Sequence, residues 1–283
     1  MEVINKKQNM LSTDSILSND GTKIGYYQQG SGPGLILIHG ALSSAENYAR
    51  LAELLAKDFT VYNVDRRGRG LSGPQGMNYS LKKDVEDINK LQATMGAVYL
   101  FGHSFGGLVA LETALQNTAI RKIAVYDPAV SIGGSISTAW MPAYKKYLSE
   151  GRALDAFTVF SKGTGPQAAK KVPHWLMKVL LTLFIKKPKR MQMYSLLKES
   201  LAEHEQVAKK DNTYLNYKQL GADLLFLMGE KSDLDYIEKA SQMLQAAVPS
   251  MELKILPGLN HFGPDRTGPE SVAVALKDFL LRE

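Results

Sequence analysis

Residues 97–117 read Ala97-Val98-Tyr99-Leu100-Phe101-Gly102-His103-Ser104-Phe105-Gly106-Gly107-Leu108-Val109-Ala110-Leu111-Glu112-Thr113-Ala114-Leu115-Gln116-Asn117. An apolar run of strand character, Ala97–Phe101, leads into G-x-S-x-G, and a helix-like stretch follows. Between a strand and a helix this pentapeptide is the nucleophile-elbow pattern. The turn is so tight that Ser104 must adopt a strained backbone, and a Cβ at Gly102 or Gly106 would strike the crossing chain. The serine hydroxyl is lifted clear of the sheet. The free N–H groups of the helix start face it and favour developing negative charge there.

Outward from the elbow, strand-like and helix-like segments alternate. Leu35–Ile38 is a continuous apolar run, as expected of a strand buried on both faces of a parallel sheet. Further strands are predicted at Lys23–Gln29 after the Asn19-Asp20-Gly21 turn, and at Phe59–Val64, Lys122–Tyr126, Asp223–Met228 and Met251–Leu256. Helices are predicted at Ala45–Lys57, at Leu81–Met95 between the Ser80 cap and the Gly96 stop, at Asp235–Ala247 and at Pro269–Arg282. Such alternation predicts an α/β fold, a mostly parallel doubly wound sheet covered on both faces. From 131 to 220 the rhythm stops, strand-like runs vanish, and several helices are expected. This stretch is read as an inserted helical cap. The core then comprises residues 1–130 and 221–283, with 1–12 expected to be flexible.

Composition narrows the function classes. In 283 residues, 45% hydrophobic and 22% charged content is ordinary for a soluble globular protein. With no cysteine there is no disulfide, thiol nucleophile or Cys-ligated metal, which fits a reducing cytosol. Residues 1–10 show no apolar signal region, and a cytoplasmic location is expected. The longest apolar run, Leu176–Ile185, contains Lys178 and is about half of what a bilayer needs. The net charge of +6 is local: residues 131–220 hold 15 Lys+Arg against 6 Asp+Glu, so the rest of the chain is net negative. That segment lacks interleaved aromatic and basic residues, so no nucleic-acid partner is expected.

In an α/β sheet, ligands gather at the carboxyl ends of the strands. Four segments lie there: His39-Gly40-Ala41-Leu42, Asp65-Arg66-Arg67-Gly68-Arg69-Gly70-Leu71-Ser72, the elbow, and Gly258-Leu259-Asn260-His261-Phe262. Together, in this order, they resemble the α/β-hydrolase superfamily, in its cap-bearing branch of serine esterases, lactonases and cofactor-free haloperoxidases. The resemblance covers about residues 20–130 and 220–283. It implies Ser104 as nucleophile and His261 as base, because a serine hydroxyl needs an imidazole to take its proton near neutral pH. It implies the backbone N–H groups of Ala41 and Phe105 as oxyanion donors. It also makes Asp65 and Arg67 loop-ordering residues rather than a phosphate site.

The acid that orients the base must lie between nucleophile and histidine. Asp233, after the strand Leu224–Met228, is the expected residue. Asp235 two positions on and Asp127 after the preceding strand are the alternatives. In the cap, Trp175–Ile185 reads as a helix with one narrow polar stripe. Trp175, Leu180 and Phe184, with Leu42 and Phe262 from the core, are the expected substrate-pocket residues. Packing of the cap onto the core is an equal alternative. The basic cluster Lys186-Lys187-Pro188-Lys189-Arg190 is expected to be solvated surface, with weak membrane-surface contact as the lesser reading.

The expected reaction is hydrolysis of a small-to-medium carboxylic ester through an acyl-enzyme, with no metal or organic cofactor and a small-molecule, ester-like substrate as partner. Related enzymes that carry aspartate in place of the serine perform dehalogenation or epoxide opening, so those reactions are not expected. Thioester, lactone or carbon–carbon bond hydrolysis, a slow-turnover ligand-binding protein and a membrane-associated lipase are the rivals. Oligomeric state is not legible.

Overall fold

The apolar runs become neighbours in one sheet. The computed structural model describes residues 11–232 and 235–282. Its strands are β1 (Ser12–Leu17), β2 (Lys23–Gln29), β3 (Gly34–Ile38), β4 (Thr60–Val64), β5 (Tyr99–His103), β6 (Lys122–Tyr126), β7 (Asp223–Gly229) and β8 (Glu252–Leu256). They are ordered β1-β2-β4-β3-β5-β6-β7-β8. Pairing from β4 to β8 is parallel, while β1–β2 and β2–β4 are antiparallel. The β1–β2 hairpin turns at Asn19-Asp20-Gly21, where Gly21 takes a φ of 80°. Strand β1, rich in Ser, Thr and Asp and mostly exposed, is absent from the reading of the sequence because it has no apolar alternation.

Helices cover both faces. They are α1 (Ala49–Leu55), α2 (Leu81–Met95), α3 (Phe105–Gln116), α10 (Asp235–Ala247) and α11 (Pro269–Leu280) around the sheet. The run Leu35–Ile38 shows why such strands read as continuously apolar. Ile36 and Ile38 join Val85, Leu91, Leu108 and Leu244 of α2, α3 and α10, while Leu35 and Leu37 join Leu51, Leu55, Leu276 and Phe279 of α1 and α11. Each such buried side chain contributes roughly 1.5–3 kcal/mol. Helix α2 ends as expected at Gly96, which is left-handed with φ 66°.

Between β6 and β7 lie six cap helices: α4 (Met141–Ser149), α5 (Ala153–Thr164), α6 (Gln167–Lys171), α7 (His174–Phe184), α8 (Lys187–Ser195) and α9 (Leu197–Lys209). All but α6 contribute to an apolar cluster around Trp140, Tyr144, Phe157 and Leu197 that reaches Leu42 of the core. The basic loop after β4 secures this unit. Arg66 pairs with Asp84 at 3.0 Å and with Glu203 of α9 at 2.8 Å, and Arg69 also bonds Glu203, all of them buried. Breaking a buried pair by removing one partner is costly, because the other charge is left unpaired. In the same loop, Asp65 accepts the N–H groups of Ala45 and Leu71 at 2.8 and 2.9 Å. Arg67 is held by Asp87 and Asp20. These arginines bind the protein's own carboxylates.

Candidate active site

Steric exclusion builds the elbow. Ser104, at the turn between β5 and α3, has φ 54° and ψ −120°. That is a region L-residues enter only when the surroundings hold them there. A Cβ on Gly102 would lie 2.3 Å from the Gly106 carbonyl oxygen, and one on Gly106 would lie 2.2 Å from that of Ile38. The turn is locked by hydrogen bonds from Ser104 N to Tyr126 O and from Ala129 N to Ser104 O, each 3.0 Å. Phe105 N–H, the first of helix α3, has no intrahelical acceptor. Gly40 runs across the elbow; a Cβ there would sit 3.1 Å from Ser104 Cβ. Ala41, the other expected oxyanion donor, lines the same cavity as Ser104 and Phe105.

His261 comes from the loop after β8, and its Nδ1–H donates to Asp127 Oδ2 at 3.1 Å. Asp127 is fully buried directly after β6, with a φ of 43°. Its Oδ2 also accepts the Ser232 hydroxyl at 2.6 Å, and its Oδ1 has no partner among the described residues. The expected acid, Asp233, lies outside the described residues. Asp235 stands at the start of α10 and accepts the Gln167 side-chain amide of the cap. Strand β6 is hydrogen-bonded directly to β5, so a residue at its carboxyl end reaches the elbow region without an intervening strand. The loop after β7 supplies the Ser232 hydroxyl.

The G-x-S-x-G variable residue carries a role that the motif does not announce. His103 Nε2 contacts the His261 carbonyl oxygen at 2.7 Å, and a carbonyl only accepts, so Nε2 bears the proton. Nδ1 then accepts the Tyr48 hydroxyl at 2.5 Å. Burial, together with the nearby His261, pushes the His103 imidazole well below its usual range and keeps it neutral. The Tyr126 hydroxyl donates to Asn260 O at 2.8 Å, a second tether on the His261 loop. His39 is likewise neutral, its protonation suppressed by burial and then by Arg66. Its Nε2 accepts the Arg66 N–H at 3.1 Å, and Arg66 donates to the carbonyls of His39 and Gly40, which fixes the turn before Ala41.

Ser104 and His261 open on one cavity of about 450 Å³ between core and cap. Leu42 and Phe262 line it. The cap contribution differs from the expectation. Met177, Leu181 and Ile185 line the cavity, whereas Trp175 and Phe184 are solvent-exposed, and neither they nor Leu180 are among its walls. Helix α7 is apolar nearly all round, so the sequence does not say which side turns inward. Phe157 and Phe160 of α5 and His204 of α9 complete the cap side.

A single π-helical turn, Gly263–Thr267, follows His261. It brings the buried Asp265 carboxyl to the cavity wall, with Oδ1 unpartnered among the described residues and Oδ2 paired with Arg266 at 3.3 Å. Burial raises its pKa, opposed by Arg266, His261 and Lys189. No sequence motif flags Asp265, since only the π turn aims it inward. No group of three or more His, Asp or Glu among the described residues is arranged to hold a metal ion.

Comparison with known proteins identifies the family and the fold. Residues 35–275 match the Alpha/beta hydrolase family. Among curated relatives, a fluoroacetate dehalogenase of a Burkholderia species is 36% identical over 106 residues, 35% of either chain. An N-formylmaleamate deformylase of Pseudomonas putida is 36% identical over 107 residues, 36% of this chain and 40% of that one. The chain thus aligns with little more than a third of the length of these relatives. Among solved structures, an alpha/beta hydrolase of Sphaerobacter thermophilus superposes with a TM-score of 0.80 at 28% identity, covering 94% of this chain and 100% of that one. With one family matched from β3 through the cap into the last helix, the chain belongs to the alpha/beta hydrolase family.

Proposed function

We propose that this protein hydrolyses small-to-medium carboxylic esters, with Ser104 as nucleophile, His261 as base and Asp127 as the orienting acid. The observation that carries the reading is the buried Asp127–His261 pair beside the strained Ser104 turn, with serine and imidazole facing one cavity. With Nδ1–H directed at Asp127, Nε2 of His261 is left to accept the Ser104 proton as Oγ attacks the acyl carbon. The tetrahedral oxygen is received by the N–H groups of Ala41 and Phe105. His261 then protonates the leaving alcohol. A water activated by the same imidazole releases the acid and restores Ser104.

Asp127 in this role replaces Asp233, which the spacing of the sequence favoured. The apolar walls around Leu181 and Phe157 suit an acyl or alkyl chain. Asp265 adds a carboxyl to the cavity wall, its Oδ1 unpartnered among the described residues.

The test is labelling and turnover together. Wild-type protein should react with a fluorophosphonate and turn over p-nitrophenyl esters many times per site, and Ser104→Ala should do neither. Asp127→Asn should lower kcat by about 10³–10⁴-fold, while Asp233→Asn stays within a few-fold of wild type. A crippled Asp233→Asn with an active Asp127→Asn would move the acid. Product release stopping near one equivalent would instead indicate a binding protein. The substrate panel should include thioesters, lactones and an N-formyl amide, the last because of the likeness to a deformylase.

A further inference from the structure

The side of the cap turned away from the cavity has no use in this chemistry, yet it is unusual. Helix α7 leaves Trp175 67%, Val179 44%, Leu183 73% and Phe184 80% exposed. Trp175, Val179 and Leu183 recur every four residues and so form one stripe on one side of the helix. Isolated exposed apolar residues need no explanation, but a contiguous stripe headed by a large aromatic marks a contact surface, and Phe184 is exposed at the helix end beside it. Residues 170–190 also hold seven Lys or Arg and no Asp or Glu. Lys170 and Lys171 before α7 and Lys186 and Lys187 after it are exposed. Arg190 donates to the carbonyls of Thr182 and Ile185 at 2.9 Å, which fastens the end of α7 to α8 and holds the surface in shape.

We infer that this face docks on an anionic lipid surface, with α7 lying in the plane of the headgroups. A helix that carries Trp, Val and Leu on one side, an exposed Phe at its end and Lys beyond both ends is built for that boundary. The apolar side chains enter the headgroup layer while the ammonium groups meet lipid phosphates. Charge complementarity selects the occupant. A second copy of this chain seated on the same patch would set the exposed Lys171, Lys186 and Lys187 of the two copies against one another, whereas an anionic bilayer neutralises them. No described helix is long and apolar enough to span a membrane, so the contact is peripheral. The other side of α7 supplies Met177, Leu181 and Ile185 to the cavity. Docking therefore sets the cavity about one helix diameter, ~10 Å, from the lipid. Amphiphilic molecules partitioned in that layer would be its nearest source of ligand. The inference rests on the surface alone and holds whichever bond is cleaved.

Co-sedimentation with vesicles of phosphatidylcholine containing 30% phosphatidylglycerol tests it, with tryptophan emission as a second readout. Wild type should bind these vesicles at least tenfold more strongly than pure phosphatidylcholine, and 0.5 M NaCl should release it. Emission should shift to the blue on binding, and Trp175→Phe should remove the shift, because Trp140 is already buried. Leu183→Ala combined with Phe184→Ala, and separately Lys186→Glu with Lys187→Glu, should each weaken binding at least tenfold while hydrolysis of a soluble ester is unchanged. The inference fails if wild type stays in the supernatant at millimolar lipid. It also fails if either double variant binds like wild type, or if neutral vesicles bind equally well. A dimer in sedimentation velocity that Leu183→Ala with Phe184→Ala dissociates, without any vesicle binding, would assign the face to a second copy instead.

Discussion

The elbow and the cap solve opposite problems. Around Ser104 the backbone itself is the constraint: glycines at 102 and 106 leave no room for a single added carbon, and neighbouring carbonyls and N–H groups close the turn. In the cap, side chains decide. Helix α7 is apolar on almost every side, and the partners it meets determine what each side does. The contrast teaches where specificity resides. A site made from backbone geometry leaves a short sequence signature, whereas a pocket roof made from interchangeable apolar residues leaves none.

The sharpest way to break the comparison is steric. Gly106→Ala would place a Cβ 2.2 Å from the Ile38 carbonyl oxygen and 2.6 Å from that of His39. It should destabilise the fold by ~3 kcal/mol or more, read by chemical denaturation. Gly134→Ala, in the loop leading to the cap, has open space around it and only a φ of 71° to resist it, so its loss should be about 1 kcal/mol. Equal losses at the two positions would erase the distinction.

A smaller effect comes from protons. His39 and His103 are buried next to the elbow and held neutral, with folded pKa values below that of the unfolded chain. A depressed folded value means that the unfolded chain takes up protons that the native one refuses. Stability is therefore full above about pH 6.5 and declines as pH falls through it, by up to ~1.4 kcal/mol per pH unit for each histidine. Buried Asp65, Asp87 and Asp265 have raised values and act with the opposite sign at lower pH, so the window to read is pH 7.5 to 6. A thermal midpoint that does not fall across that window would contradict the assignment.

The smallest effect separates the two sides of α7. Leu181→Ala should change kcat/KM for longer acyl esters by roughly tenfold. Leu183→Ala, two residues on and facing outward, should leave soluble-ester turnover where it was. If both variants behaved alike, the inward side would be misassigned.

How much of this was legible beforehand follows the same division. The runs Leu35–Ile38 and Lys122–Tyr126, the Gly96 stop and the G-x-S-x-G turn each carry a local physical signal, and each became the expected element. Strand β1 has no apolar period and pairs only because β2 offers an open edge. Asp127 was visible as an alternative, and its contact with His261 follows from β6 lying beside the elbow strand, which no local pattern reveals. His103 holding the His261 loop, and Asp265 turned inward by a π turn, involve contacts or curvature with no sequence periodicity.

By itself, then, the sequence determined the α/β alternation, the strained serine and the histidine after the last strand. Those depend on hydrophobic period and on where a Cβ can fit, and both are properties of neighbouring residues. Tertiary structure alone decided which carboxylate meets the imidazole, which side of α7 roofs the cavity and which side faces outward. Those depend on strand order and helix rotation, which arise only when distant segments compete for the same buried surface.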